Sequence, residues 1–183
     1  ADIWNTSDQF RYAYQAASGD VTVVAHVLSE TGSQTYAKAG VMIRESTAAN
    51  SVNAAVLLTP NNGVALQIRP TTGASSINVT GWISGPKPPT WVKLSRAGNT
   101  FTGYYSSDGL TWTQLAATNV TMNSSASRAG GRLAVRPAPD GSGCRSLRFI
   151  GSSLGNYHPP CNGLTNLQTQ QGSLSRTQET VPA

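Results

Sequence analysis

A chain of 183 residues is long enough to form one domain with a sizeable hydrophobic core. Only 11% of its residues are charged, against roughly 25% in a typical soluble domain, and no run of about 18 apolar residues could form a membrane-spanning helix. The net charge of +5 is uneven, because five arginines lie between Arg128 and Arg148. No aromatic residues interleave with them, so we expect a solvated edge and no nucleic-acid partner.

The hydrophobic pattern predicts about ten short strands and almost no helix. Residues 60–63, Pro-Asn-Asn-Gly, are a strong hairpin signal, and the prolines of residues 85–89 stop any strand. Frequent turns between short strands favour a sandwich or a barrel. The strands are expected over residues 10–14, 21–28, 37–45, 51–59, 64–69, 77–83, 91–96, 101–105, 110–115, 133–135 and 146–150.

The strand at residues 36–45 has the clearest alternation of side chains. Its apolar residues fall on one face and its basic residues, Lys38 and Arg44, fall on the other. This pattern predicts that the apolar face is buried and that the basic face is open to solvent or to a ligand.

After residue 154 the strand pattern ends. Residues 168–183 are polar and without periodicity, so we expect residues 155–183 to form a linker or tail. Cys144 and Cys161 close a short loop, and in an exported protein we expect them to form a disulfide. Zinc binding by His158 and Cys161 is the alternative, but His26 is the only other histidine, which leaves no second ligand pair.

Several segments together carry a family resemblance. They are Ala-Asp-Ile-Trp at residues 1–4, Thr-Ser-Asp-Gln-Phe at 6–10, the strand at 37–45, Trp-Val-Lys-Leu at 91–94 and the hairpin at 99–112. In this order they resemble the concanavalin A-like jelly-roll modules of the DUF1349 type, from secreted bacterial multidomain proteins. The resemblance covers residues 1–154. It implies an all-β, two-sheet antiparallel jelly-roll sandwich with little or no helix, a location outside the cell, and carbohydrate binding or spacing.

The chain departs from that family pattern in two places. Family members usually have one more strand before the Ala-Asp-Ile-Trp segment. Either the chain is a fragment, or the tail of residues 155–183 completes the vacant edge, since an unfilled edge would pair with another chain. The second departure is the stretch from Arg128 to Arg148, which is richer in arginine than its counterpart in the family.

Catalytic motifs are weak. Glycosidases of this fold cluster carboxylates on one strand, but no two acidic residues here occur at i, i+2, and Glu45 could pair with Asp2 or Asp8 only across strands. Residues 151–155 match G-x-S-x-G, yet no helix is predicted after them, which favours a chance match. No D-x-D cluster supports calcium, so we expect no cofactor. We therefore favour a protein that is not an enzyme.

Aromatic and polar residues on the predicted sheet suggest a binding surface, because sugars stack on aromatic rings and hydrogen-bond to polar groups. We expect Trp91 and Trp112 in the core, whereas for Trp4 and Trp82 both core and ligand-facing positions are open. The polar face that carries Lys38, Arg44, Gln67 and Arg69 has two interpretations. It either lines a concave sheet face or forms a cross-strand charged ladder that balances Glu45. The candidate ligand-binding residues are Trp4, Lys38, Arg44, Gln67, Arg69 and Trp82.

Three functions remain in competition. The favoured one is a secreted, non-catalytic module that binds a polysaccharide or glycan on its concave sheet face. The second is a structural or self-assembling extracellular module, with other copies of the chain or neighbouring modules as partners. The third is a glycoside hydrolase that uses Glu45.

Overall fold

The structure is a computed structural model that describes residues 2–30, 34–123, 127–134, 145–149, 156–157 and 177–181. Within these residues it contains fifteen strands and no helix, and every strand pair is antiparallel. No helix of this part of the chain is long and apolar enough to cross a membrane. The strands are β1 (Ile3–Trp4), β2 (Ser7–Asp8), β3 (Phe10–Ala17), β4 (Val21–Glu30), β5 (Lys38–Arg44), β6 (Asn53–Thr59), β7 (Gly63–Arg69), β8 (Ile77–Asn78), β9 (Thr90–Ala97), β10 (Thr100–Ser106), β11 (Thr113–Asn119), β12 (Ser127–Ala134), β13 (Arg145–Phe149), β14 (Asn156–Tyr157) and β15 (Thr177–Val181).

Two large sheets pack as a sandwich, which confirms the predicted fold class. The seven-stranded sheet has the order β15-β3-β12-β5-β6-β7-β8, and the six-stranded sheet has the order β11-β10-β9-β4-β13-β14. Strands β1 and β2 form a separate hairpin. Adjacent strands in the sheets are often distant in sequence, so the register depends on long-range contacts.

The main hydrophobic core lies between the two sheets. It takes alternate residues from β5, β6 and β7 on one side and from β4, β9 and β10 on the other, because side chains of a strand alternate between the two faces. Its central members are fully buried: Val41, Ile43, Val56, Leu66, Leu94 and Phe101. The apolar residues at every second position of these strands are therefore the ones that face this core.

The predicted strands agree with the structure in the centre of the sheets and differ at their edges. Strand β12 begins at Ser127, although its Gly-Gly pair predicted no strand before residue 133. The predicted strand at 77–83 is reduced to β8 and one isolated bridge between Val64 and Ile83. Residues 107–112 form a loop, so β11 begins at Thr113 and not at residue 110.

The expectation that the basic face of β5 is open is wrong. All seven residues of β5, and likewise of β6 and β7, are buried. The outer face of the seven-stranded sheet, which is the face turned away from the six-stranded sheet, carries a second apolar cluster that includes Ile3 of the hairpin. The β1–β2 hairpin thus covers part of this outer face, which no local pattern predicted. The cluster consists of Ile3, Phe10, Tyr12, Tyr14, Met42, Ala55 and Leu57.

Among the described residues, two strands come after residue 154. Strand β14 pairs with β13 at one edge of the six-stranded sheet. Strand β15 pairs with β3 through five residue pairs, from Thr177 opposite Tyr14 to Val181 opposite Phe10, and forms the edge of the seven-stranded sheet. The domain division at residues 154 and 155 stays a prediction. The predicted disulfide of Cys144 and Cys161, the zinc alternative at His158 and the G-x-S-x-G motif lie outside the described residues.

Candidate functional site

The six predicted ligand-binding residues belong to the outer face of the seven-stranded sheet or to segments beside it. Lys38 and Arg44 are the two ends of β5, and Gln67 and Arg69 lie on β7. Trp4 lies on the covering hairpin, and Trp82 follows β8. The structure divides them into a buried arginine pair, a group of Trp4, Lys38 and Trp82 around the start of β5, and Gln67, which lies in the row of Ala55 and Met42.

Asp8, which the hairpin carries into the sheet, is the shared carboxylate partner of the arginine pair. Arg69 donates from Nη1 to Oδ2 of Asp8 at 2.6 Å and from Nη2 to Oδ1 at 2.7 Å, a bidentate arrangement. Arg44 Nη1 lies 3.4 Å from Oδ2, and Asn53 donates to the same oxygen at 3.2 Å. The carboxylate partner of Arg44 and Arg69 in the described part of the chain is Asp8, and the alternative of a ladder that balances Glu45 stays a prediction.

Both arginines are fully buried. Their side chains and that of Asp8 are 0% exposed, and Arg44 also donates from Nε to the carbonyl of Ser46 at 2.7 Å. Burial lowers the pKa of Arg44, an effect that the Asp8 carboxylate opposes. These contacts fix the hairpin on the sheet. The predicted ligand contact of Arg44 and Arg69 stays a prediction, and the site proposed below does not use them.

Three aromatic side chains surround the start of β5, and we call Trp4, Tyr36 and Trp82 the aromatic rim. Lys38 Nζ lies 5.5 Å from the centre of the Trp4 ring, and Tyr36 and Trp82 have ring centres 6.1 Å apart at 50°. Tyr36 precedes Lys38 by two residues, so each pair contains a residue at or just before the start of β5. Trp4 is 36% exposed and Tyr36 is 56% exposed, so the rim presents aromatic surface to solvent.

Lys38 positions one side of the rim. Its ammonium donates to Asp2 Oδ1 at 2.8 Å and to the carbonyl of Ile3 at 2.9 Å. The side chain of Lys38 is 4% exposed, whereas that of Asp2 is 55% exposed. Lys38 thus holds the first residues of the hairpin, and with them Trp4, against the end of the sheet.

Two buried acceptors lie on the same face as the rim. Oε1 of Gln67 and Oδ1 of Asn78 are buried, and within the described part of the chain no donor reaches either atom. Gln67 and Asn78 are register partners on β7 and β8, so their side chains point to the same side of the sheet. An unpaired buried acceptor costs about 1–3 kcal/mol. Such a group is satisfied by a donor from water or from a ligand.

The floor beside the rim is apolar and held by a long-range hydrogen bond. Tyr12 of β3 reaches across β12 and donates its hydroxyl to the carbonyl of Met42 on β5 at 3.0 Å. Gly130 permits close packing here, because a Cβ at this position would lie 2.2 Å from the carbonyl oxygen of Ala13. Trp82 packs against the same cluster from the other side.

Sequence reasoning placed two tryptophans wrongly. Trp91 and Trp112 are half-buried and lie on the outer face of the six-stranded sheet, outside both apolar clusters. Trp91 directly precedes Val92, which is buried in the core, so the side chain of Trp91 points to the opposite, outer face. Asn78 was not among the predicted ligand-binding residues. Its position in the predicted strand at 77–83 was the signal that could have placed it beside β7.

Two carboxylates near the site, Glu45 and Asp8, already have partners. Glu45 accepts a hydrogen bond from the backbone of Asn123 at 2.8 Å, and Asp8 is occupied by the two arginines. Among the described residues no three His, Cys, Asp or Glu side chains lie together as a metal site would require. The outer face of the seven-stranded sheet carries amide acceptors at Gln67 and Asn78 and is bordered by the ring faces of the rim, and ring faces with acceptors suit a ligand that has both apolar faces and hydroxyl groups.

Comparisons with known proteins support the fold. No family model and no curated protein sequence matches the chain. A functionally unknown protein from Saccharomyces cerevisiae is similar in structure, with a TM-score of 0.55 and 16% identity over 85% of each chain. At that identity the likeness shows the β-sandwich fold alone.

Two further solved structures show weaker likeness. A xylan β-1,4-xylosidase from Bacillus halodurans has a TM-score of 0.42 at 15% identity, and the match covers 66% of this chain but 24% of that enzyme. Scytalido-glutamic peptidase has a TM-score of 0.41 at 9% identity, over 82% of this chain and 84% of that one.

Proposed function

We propose that this chain is a non-catalytic β-sandwich module that binds a neutral carbohydrate at the aromatic rim. The observation that carries the proposal is the pair of buried acceptors, Gln67 Oε1 and Asn78 Oδ1, on the sheet face that the rim borders. The resemblance to extracellular modules of the DUF1349 type and the hydroxyl-rich, charge-poor composition add support for a secreted protein.

A sugar ring matches this arrangement in two ways. Its apolar face packs on an aromatic ring, here the exposed Tyr36 or the half-buried Trp82, and its hydroxyl groups donate to amide oxygens. Donation to Gln67 and Asn78 removes the cost of leaving those acceptors unpaired, which favours the bound state. Lys38 is already engaged by Asp2 and Ile3, so its role is to hold Trp4.

Binding to a panel of immobilised neutral polysaccharides, followed by titration calorimetry with the best oligosaccharide, tests the proposal. We expect Trp82→Ala and Tyr36→Ala each to weaken binding about tenfold or more, the effect of losing an aromatic contact of roughly 1.4 kcal/mol. Leu110→Ala, at a side chain that is 84% exposed in the loop between β10 and β11, is the control and should bind as the parent does. Binding that survives both rim substitutions, or no binding to any neutral glycan, contradicts the proposal.

Self-assembly through the sheet edge is the second candidate function. The observation that favours it is strand β15, which pairs with β3 from the far end of the chain. A strand that completes an edge within one chain can in principle complete the same edge of another copy. Light scattering over a dilution series checks this function, and a particle that keeps the mass of one chain at every concentration counts against it.

A further inference from the structure

A second cluster of aromatic and basic side chains lies on the outer face of the six-stranded sheet, remote from the rim. Lys93 of β9 alternates with Val92 and Leu94, which are fully buried in the core, so its side chain points outward. Tyr104 is its register partner on β10, and Trp112 precedes β11. All three of these outward side chains are half-buried.

The ammonium group of Lys93 lies between two aromatic rings. Its Nζ is 4.3 Å from the centre of the Tyr104 ring and 4.1 Å from the centre of the Trp112 ring. Burial lowers the pKa of Lys93. Within the described part of the chain its ammonium has no hydrogen-bond acceptor and no carboxylate partner. The charge is therefore held in place by the rings, while its N–H donors stay available to an outside acceptor.

The neighbouring residues make this arrangement rigid. His26 stacks on Trp91 with ring centres 4.2 Å apart and planes at 5°, and a Cβ on Gly109 would lie 2.9 Å from Cε2 of Trp91. The loop of residues 106–111 is closed by Asp108, whose Oδ1 accepts from the backbones of Leu110 and Thr111 at 2.8 Å. Because Asp108 is engaged by its own loop, it does not neutralise Lys93.

We propose that Lys93, Tyr104 and Trp112 form a second binding site, which recognises the carboxylate of an acidic sugar such as a uronic acid. The carboxylate accepts a hydrogen bond from Lys93, and the pyranose ring packs against the exposed parts of the two aromatic rings. The site complements one negative charge beside an apolar face. A phosphate polyanion would favour several cations and the planar fork of arginine, whereas this site offers one compact ammonium.

Calorimetry with a galacturonic acid hexamer tests this site, and the same hexamer with its carboxyl groups reduced is the neutral control. We expect the acidic hexamer to bind and Lys93→Met to weaken it about tenfold or more, as for the loss of a charge-assisted hydrogen bond. Lys93→Arg keeps the charge and should retain most of the affinity. Lys87→Met, at an exposed position, should bind as the parent does.

A second measurement keeps the test decisive if Lys93→Met does not fold. Acetylation of the unaltered protein, followed by mass spectrometry, should show that the acidic hexamer protects Lys93 several-fold more than Lys87, while the reduced hexamer protects neither. Absence of binding by the acidic hexamer, equal binding by the neutral one, or an unchanged affinity in a folded Lys93→Met variant overturns the proposal.

Discussion

Arg69 and Asp8 join two distant parts of the chain through two hydrogen bonds of 2.6 and 2.7 Å, although they are 61 positions apart. Both side chains are 0% exposed, so the pair anchors the covering hairpin inside the protein. The pair also explains how the basic side chains on this sheet face can be buried. Their carboxylate partner, Asp8, comes from the hairpin that covers the face.

Replacing Asp8 should therefore strongly destabilise the protein. Asp8→Ala leaves Arg69 and Arg44 buried without a counter-charge, and we expect the free energy of unfolding to fall by about 3–5 kcal/mol. Urea denaturation followed by tryptophan fluorescence measures this change. Asp20→Asn, at an exposed turn, is the control and should change stability by less than about 0.5 kcal/mol. Equal stability of Asp8→Ala and the parent would show that the pair does not anchor the hairpin.

Loss of the Tyr12 hydroxyl should weaken the floor of the candidate site. In Tyr12→Phe the carbonyl oxygen of Met42 loses its buried donor, and we expect a loss of about 1–2 kcal/mol in unfolding free energy. Tyr36→Phe, at a side chain that is 56% exposed, should leave stability unchanged. A Tyr12→Phe variant as stable as the parent would contradict this assignment.

Gln67 should show opposite effects on stability and on binding. Gln67→Met replaces a buried amide with an apolar side chain of similar size, so the unfolding free energy should stay constant or rise by up to about 1 kcal/mol. Binding of the neutral oligosaccharide should fall, because the hydroxyl group of the ligand loses its acceptor. Gln114→Met, exposed on β11, is the control for both measurements. A destabilised Gln67→Met variant would indicate that the amide is satisfied within the protein.

The loop of Asp108 should respond to acid. Hydrogen bonds from Leu110, Thr111 and Ser106 lower the pKa of Asp108 from 3.8 to about 2. A lowered pKa in the folded state stabilises the protein above 3.8, and this contribution is lost as the pH falls toward 2. We expect the thermal midpoint of the parent to exceed that of Asp108→Asn above pH 3.8 and the difference to shrink as the pH approaches 2. A difference that is constant with pH would contradict the assignment.

Removal of the last strand should expose an edge. A chain that ends at residue 176 lacks β15, so β3 presents unpaired backbone groups, and we expect concentration-dependent self-association in light scattering. Adding Ala13→Lys, at a half-buried position on β3 that lies opposite Gln178 of β15, should reduce that association because a charged residue on an edge opposes pairing. A truncated chain that remains a monomer at every concentration would show that β15 does not protect this edge.

Local sequence patterns predicted the centre of the fold well. Strands β5, β6, β7, β9 and β10 have the alternation or the continuous apolar run that fixes a strand. The patterns failed at β12, where Gly130 and Gly131 lie in the middle of a strand. Glycine has low intrinsic preference for strands, and the packing of Tyr12 and Tyr14 over β12 outweighs that preference.

The candidate site was predictable only in part. Trp4, Lys38, Gln67 and Trp82 do lie on or beside one face of one sheet, because alternation along a strand and a hairpin signal relate neighbouring strands. Arg44 and Arg69 share that face, but their environment depends on Asp8, which no spacing rule connects to them. The cluster at Lys93 was missed for the same reason, since Trp112 follows a loop whose direction is set by Asp108.

The sequence by itself determined that this chain forms antiparallel strands with alternating faces, because the side-chain period of a strand is a local property. It also determined which residues face the same way within each strand. Only the tertiary structure decided which faces are covered. Burial depends on segments such as the β1–β2 hairpin and β15, which arrive from distant parts of the chain and are held by long-range pairs such as Asp8 with Arg69.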